Sequence, residues 1–174
     1  MKAAEIEVGG IYYDGKTGVR EVLSKEGAPV RVEYKILAAA LERQYSYGEK
    51  RMVSLIGSTS SSTFQSFAAW AKQRIQTAEA CAELLAALQA KRLKLAPGET
   101  AFMNSIAAKF GSDSQPNAGS EVSFEFTETR SAQNVAKKGL ATVHKGTPGA
   151  GGTIILTALG AAWARNRIAA AVAV

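Results

Sequence analysis

A single cysteine, Cys81, and a single histidine, His144, are all that this 174-residue chain offers of the two side chains most used as metal ligands and activated nucleophiles. One thiol cannot close an internal disulfide, and no Cys/His spacing suits zinc. No G-x-S-x-G turn is present, and the carboxylates are dispersed rather than paired for a nuclease metal. The expectation is a nonenzymatic protein with no catalytic residue, no metal and no cofactor. Long apolar runs are missing too. The Ala/Val segment from Ile168 to Val174 is far short of the roughly 20 residues that span a bilayer, so no membrane partner is expected and the segment reads as a packing or homodimer-forming surface. Acidic residues interrupt Met1-Lys-Ala-Ala-Glu-Ile-Glu, which gives no secretory-signal pattern. With one thiol, this predicts a cytoplasmic setting.

What is there is ordinary globular material with an uneven charge. Hydrophobic residues make up 47% of the chain, enough for one domain or two small ones. Residues 1–76 hold 11 Lys/Arg against 8 Asp/Glu, residues 77–126 hold 4 against 6, and residues 127–174 hold 6 against 1. Basicity is therefore concentrated at the C-terminal end, where it suits contact with phosphates or simply a solvated surface.

The first part, 1–76, reads as a small β domain with a closing helix. Val30 to Ile36 alternates apolar and charged residues, the period of a half-buried strand with Val30, Val32, Tyr34 and Ile36 inward. Ile6 to Tyr13 and Val19 to Leu23 are strands around the turn formers Asp14 to Gly18, and Lys50 to Ile56 is a fourth strand. Ala38 to Tyr47 is either a short helical excursion or a wide loop. Four short strands of this kind curl into a barrel or roll. The Ser/Thr run 58–63 caps a helix whose Phe64, Phe67, Ala68, Ala71 and Ile75 share one face. The phrases "VGGIYYDGKTGVREVL", "VRVEYKIL" and "TFQSFAAWAK" resemble the small SH3-like or KOW-like β domains of phage-borne proteins. That resemblance implies a barrel binding nucleic acid or protein, from a mobile element.

The second part, 77–174, begins helically. Thr77 caps a helix with an apolar stripe of Cys81, Leu84, Leu85, Leu88 and Leu95, and Lys91, Arg92 and Lys94 bias its C-terminal end. Pro97-Gly-Glu starts the next helix, which buries Phe102, Met103, Ile106, Ala107 and Phe110. A breaker-rich loop, 111–120, precedes a strand in which Val122, Phe124 and Phe126 alternate. After it, 127–140 is a helix, 141–145 a strand, 146–152 a glycine-rich reversal in which Gly146, Gly149, Gly151 and Gly152 permit the turn, and 153–157 a second strand. No Lys-Ser/Thr follows these glycines, which excludes a P-loop.

That order, with "KKGL" ending one helix at Leu140 and "LTALG" starting another at Leu156, resembles a winged helix. The overall expectation is α+β: an SH3-like barrel or roll, then a winged-helix-like domain. The resemblance implies a recognition helix followed by a wing, and so a double-stranded DNA partner. With Ala132, Val135, Ala136 and Leu140 inward, Arg130, Gln133, Asn134, Lys137 and Lys138 face outward. Arg pairs with guanine edges, Asn and Gln with adenine, and Lys with phosphate. His144 and Lys145 sit where a wing approaches a groove or backbone. One departure stands out: a loop and a strand precede the recognition helix, where a simple helix-turn-helix has a turn of about three or four residues.

Two functions follow. The first is a regulator of a phage or mobile element that acts by occupying DNA. The second is an inhibitor of a host defence nuclease complex, anti-CRISPR-like, with Tyr45, Tyr47 and Trp70 as the protein interface; the same aromatics also suit packing within a small barrel. A DNA mimic would need an acidic surface, so direct occlusion is the mode expected of such an inhibitor.

Overall fold

The computed structural model describes residues 5–46, 48–110, 114–146 and 149–172. Residues 111–113 of the expected loop, 147–148 of the expected wing tip, 173–174 of the tail and the interface candidate Tyr47 lie outside that set. The fold is a mixture of helices and antiparallel strands, α+β, in two compact units, Met1–Leu85 and Ala86–Val174.

In the first unit, β1 (Ile11–Tyr13), β2 (Val19–Glu26), β3 (Arg31–Ala38), β6 (Thr59–Thr63) and β7 (Gln73–Ile75) form an antiparallel sheet in the order β6-β3-β2-β1-β7. Among the described residues no ladder joins the edges β6 and β7. Strands β4 (Arg43–Ser46) and β5 (Arg51–Ser54) form a separate hairpin. The undecided stretch before Tyr47 thus contains a strand. The expected fourth strand pairs with it, and its place in the main sheet is taken by the serine-rich run. Mutual bonds between Ile36 and the Gly57/Ser58 backbone, 2.8 and 2.9 Å, return the chain to β3 and set that pairing.

Val32 and Tyr34 of β3 are buried as their alternation requires, but Val30 precedes the strand and is 44% exposed. Helix α1 (Phe64–Trp70) is capped by Thr63, whose hydroxyl accepts the Ser66 N–H at 3.2 Å. It is shorter than expected. Ala71 turns extended, Lys72 donates to the Tyr13 carbonyl, and Ile75 pairs across from Ile11 as edge strand rather than helix. Phe67, Ala68 and Ala71 pack on Ile6, Tyr12, Val22, Val32 and Tyr34. Tyr12 is fully buried, yet its hydroxyl donates to the Glu5 carbonyl and accepts the Glu7 N–H, so no polar group is stranded. Asp14 closes the β1–β2 turn. Burial pushes its carboxyl up, but the N–H groups of Gly18, Lys16 and Thr17, with Arg20 beyond, hold it below the ordinary carboxylate value.

Helix α2 (Ala78–Arg92), capped by Thr77, contains the boundary between the units. Leu95 lies beyond its end. The second unit continues with α3 (Pro97–Ala108), β8 (Glu121–Phe124), α4 (Thr129–Lys137), β9 (Ala141–Lys145), β10 (Gly152–Leu156) and α5 (Ala158–Val172), its sheet ordered β8-β10-β9. Phe102, Met103 and Ile106 of α3 meet Phe124, Val135, Leu140, Ile154 and Trp163 in one core.

The two phrases around Leu140 and Leu156 form one contact. Thr157 donates its N–H to the Leu140 carbonyl at 3.0 Å and its hydroxyl to the Gly139 carbonyl at 2.6 Å, and that hydroxyl accepts the Gly160 N–H at 3.1 Å. A Cβ on Gly160 would stand 1.9 Å from the Leu140 carbonyl oxygen, so α5 seats there only as glycine. Gly151 is equally constrained, against the Phe124 carbonyl; its role is close approach as well as turning. Gly160→Ala should therefore destabilise the second unit by about 3 kcal/mol, measured as a lowered urea midpoint; an unchanged midpoint would contradict the contact.

Candidate nucleic-acid interface

Helix α4 is amphipathic in the sense its sequence demands. Ala132 and Val135 are fully buried, Arg130 and Lys137 are exposed, and Gln133 and Asn134 are half-buried between them. Arg130, Gln133 or Asn134, and Lys137 fall at i, i+3/i+4 and i+7, one stripe along the outer face. Among the described residues the side chains of these four, and of His144 and Lys145, have no hydrogen-bond or ion-pair partner. They are available to an outside ligand.

Lys138 is placed differently. Its ammonium lies 2.5 Å from a Glu99 carboxylate oxygen, at the start of α3, and also donates to the Lys94 carbonyl. Glu99 is 8% exposed and accepts the Ala96 N–H as well, holding the helix entrance. The Lys138 hydrogen bond, then that of Ala96, lower its carboxyl from the ordinary value against the opposing effect of burial. Lys138 is thus a strut between α3 and α4. Sequence could not separate it from Lys137, since the partner lies 39 residues away.

The β9–β10 hairpin presents its two candidates to opposite sides. Ala141 and Val143 pack inward, so Lys145 shares their face and His144 shares the other with Thr142. Lys145 lines a notch with Phe124, Phe126, Thr129 and the hairpin glycines, beside the start of α4. His144 lies opposite Thr153. The structure therefore brings Lys145 to the end of α4 where Arg130 lies.

Phe126 was expected to continue the strand. It belongs instead to a 3-10 turn, Phe126–Glu128, and is 59% exposed. The Glu128 carboxylate accepts the Glu125 N–H at 2.9 Å, starting the helical run one residue after β8. No sequence motif marks that start, since Glu125 is not among the usual N-cap residues and the apolar alternation runs through it.

The interface aromatics of the first unit separate. Tyr45 on β4 is 45% exposed opposite Met52, 47% exposed. Trp70 packs on Phe67, and the Arg20 guanidinium sits 4.0 Å from its ring centroid and 4.4 Å from that of Tyr34. Trp70 is mainly a packing residue.

Among the described residues no three acidic, histidine or cysteine side chains gather as a metal site, and no helix is long and apolar enough to cross a membrane. Comparison with protein-family models, curated proteins and solved structures finds no match.

The Glu99–Lys138 pair makes a stability prediction with a sign. The native carboxyl holds its proton less tightly than the unfolded one, so the unfolded chain takes up protons first on acidification. The pair's contribution is full above the ordinary carboxylate range and is lost as pH falls through the lowered native value. Lys138→Ala should lower the thermal midpoint at pH 7 by about 3 °C and lessen the further loss on acidification. Lys137→Ala should change neither. Equal behaviour of the two variants would refute the distinction.

Proposed function

We propose that the second unit binds double-stranded DNA in the manner of a winged helix, with α4 as recognition helix and the β9–β10 hairpin as wing. The protein would act by occupancy, as a nonenzymatic regulator of a phage or mobile element. The observation that carries this reading is the stripe of Arg130, Gln133, Asn134 and Lys137, unpartnered among the described residues, with Lys145 beside its start. The helix-hairpin-helix order and the β8-β10-β9 strand order support it. A single helix, α4, lies between β8 and β9, so the reading rests on that helix and not on a paired helix-turn-helix.

The charge available to phosphate is smaller than composition suggests. Lys109 donates to the Ser123 carbonyl, Arg165 to the Pro116 carbonyl, Lys138 serves Glu99, and Arg167 lies over Trp163. Arg130, Lys137 and Lys145 remain on the candidate face. Three phosphate contacts predict a slope of log K against log salt of about −2.7, roughly a 40-fold loss between about 50 and 200 mM salt.

A second reading is supported by the β4–β5 hairpin, where Leu41, Tyr45, Met52 and Ile56 are all large, apolar and exposed. It is direct binding to a protein, as an inhibitor of a host defence nuclease would require. A nuclease-resistant complex with such an enzyme, lost on Tyr45→Glu or Met52→Glu, would favour it.

Binding of random-sequence duplex at several salt concentrations tests the first reading. Lys137→Ala and Arg130→Ala should each weaken binding to all sequences and reduce the salt slope by about 1, whereas Asn134→Ala should relax preference at a selected site. Absence of duplex binding at low salt, or unchanged affinity in all three variants, would overturn it.

A further inference from the structure

An exposed phenylalanine heads the polar stripe of α4. Phe126, Arg130, Gln133 and Lys137 are spaced i, i+4, i+7 and i+11 along a helical run that begins as a 3-10 turn and continues as α4. Within this set Phe126 is the apolar member, and at 59% exposure its ring does not serve the core. Its neighbour Phe124, 5% exposed, already fills that role and packs edge-on against Phe102.

Beside Phe126 lies a notch of about 160 Å³, lined by Phe124, Thr129, Lys145 and the hairpin glycines Gly146, Gly149 and Gly151. Pockets for drug-sized ligands begin at roughly 300 Å³, so this one admits a single flat ring rather than a base pair or a cofactor. Its lining combines aromatic carbon from Phe124 and Phe126 with the glycine backbone of the hairpin. Lys145, a cation with no partner among the described residues, stands at its border, and Arg130 follows Thr129 on the helix. Of the two acids here, Glu128 is held by the Glu125 N–H and the Ser105 hydroxyl, while Glu125, exposed, immediately precedes Phe126.

We propose that Phe126 is a stacking platform for one unpaired nucleobase, seated in this notch, with Lys145 and Arg130 meeting the flanking phosphates. The inference rests on the nucleic-acid reading above and narrows its substrate to duplexes that expose a base at a bulge or mismatch. Stacking on an aromatic side chain is tolerant of base identity, so the preference should follow the unpaired state more than the base. Extruding a base costs least where it is already unpaired, which gives the same direction.

The test is fluorescence anisotropy with two labelled duplexes of one sequence, fully paired and with a single-base bulge, at fixed low salt. Wild-type protein should bind the bulged duplex at least about fivefold more tightly. Phe126→Ala should abolish that difference, and Phe126→Trp should restore it. The high exposure of Phe126 leaves the fold intact on substitution, which a thermal melt of each variant checks. Salt-dependent binding of both duplexes with equal affinity, or a preference that survives Phe126→Ala, would overturn the stacking proposal and leave the DNA reading standing. Absence of binding to either duplex would overturn both.

Discussion

The arrangement of the second unit depends on one close backbone approach, Gly160 of α5 against the carbonyl of Leu140. Leu140 ends the turn from α4 into β9, and Thr157 ends the step from β10 into α5; their hydrogen bonds tie three elements at a point. Gly139, at φ +77°, turns the chain off the end of α4 so that Leu140 reaches the core. The orientation of α4 relative to the hairpin follows from this junction and from the antiparallel register of Leu156 with Ala141. A helix fixed at its C-terminal end, with Ala132 and Val135 locked in the core, has no choice about which side chains it offers outward.

Net positive charge alone would have credited the wrong groups. Lys138 braces two helices, Lys109 and Arg165 satisfy backbone carbonyls, and Arg20 lies against two aromatic rings in the first unit. These cations are part of the fold's own polar accounting. Among the described residues Arg130, Lys137 and Lys145 have no internal partner, a property they share with Lys91 and Lys94; what sets them apart is their place on or beside α4. A charge that the fold does not use is better evidence for an external ligand than the number of charges in a segment.

The elements most legible from sequence were those with an unbroken local pattern. The alternation of β3, the proline-led start of α3 with its Phe102, Met103 and Ile106 face, the Thr63 and Thr77 caps, and the amphipathic α4 all depend on residues within a few positions of each other. The departures arose where a distant partner decided the outcome. Ile75 continues a helical spacing but is recruited by β1, and the serine-rich run is a poor strand by composition yet is held by β3. Val30 fits its alternation but lies outside the ladder. In the candidate site, the stripe on α4 was readable from its period. The diversion of Lys138 was not, because it is a tertiary ion pair, and Phe126 was hidden by a strand pattern that stopped one turn earlier than its alternation implied.

The central claim is that one face of the second unit, running from Phe126 and Lys145 along α4 to Lys137, is a nucleic-acid surface. Backbone amide chemical shifts of the ¹⁵N-labelled full chain, followed through a titration with duplex DNA, test it residue by residue. The account predicts perturbations concentrated at Phe126, Arg130, Gln133, Asn134, Lys137 and Lys145, with the β4–β5 hairpin unmoved. Shifts confined to that hairpin, or none at a saturating concentration of duplex in low salt, would contradict it.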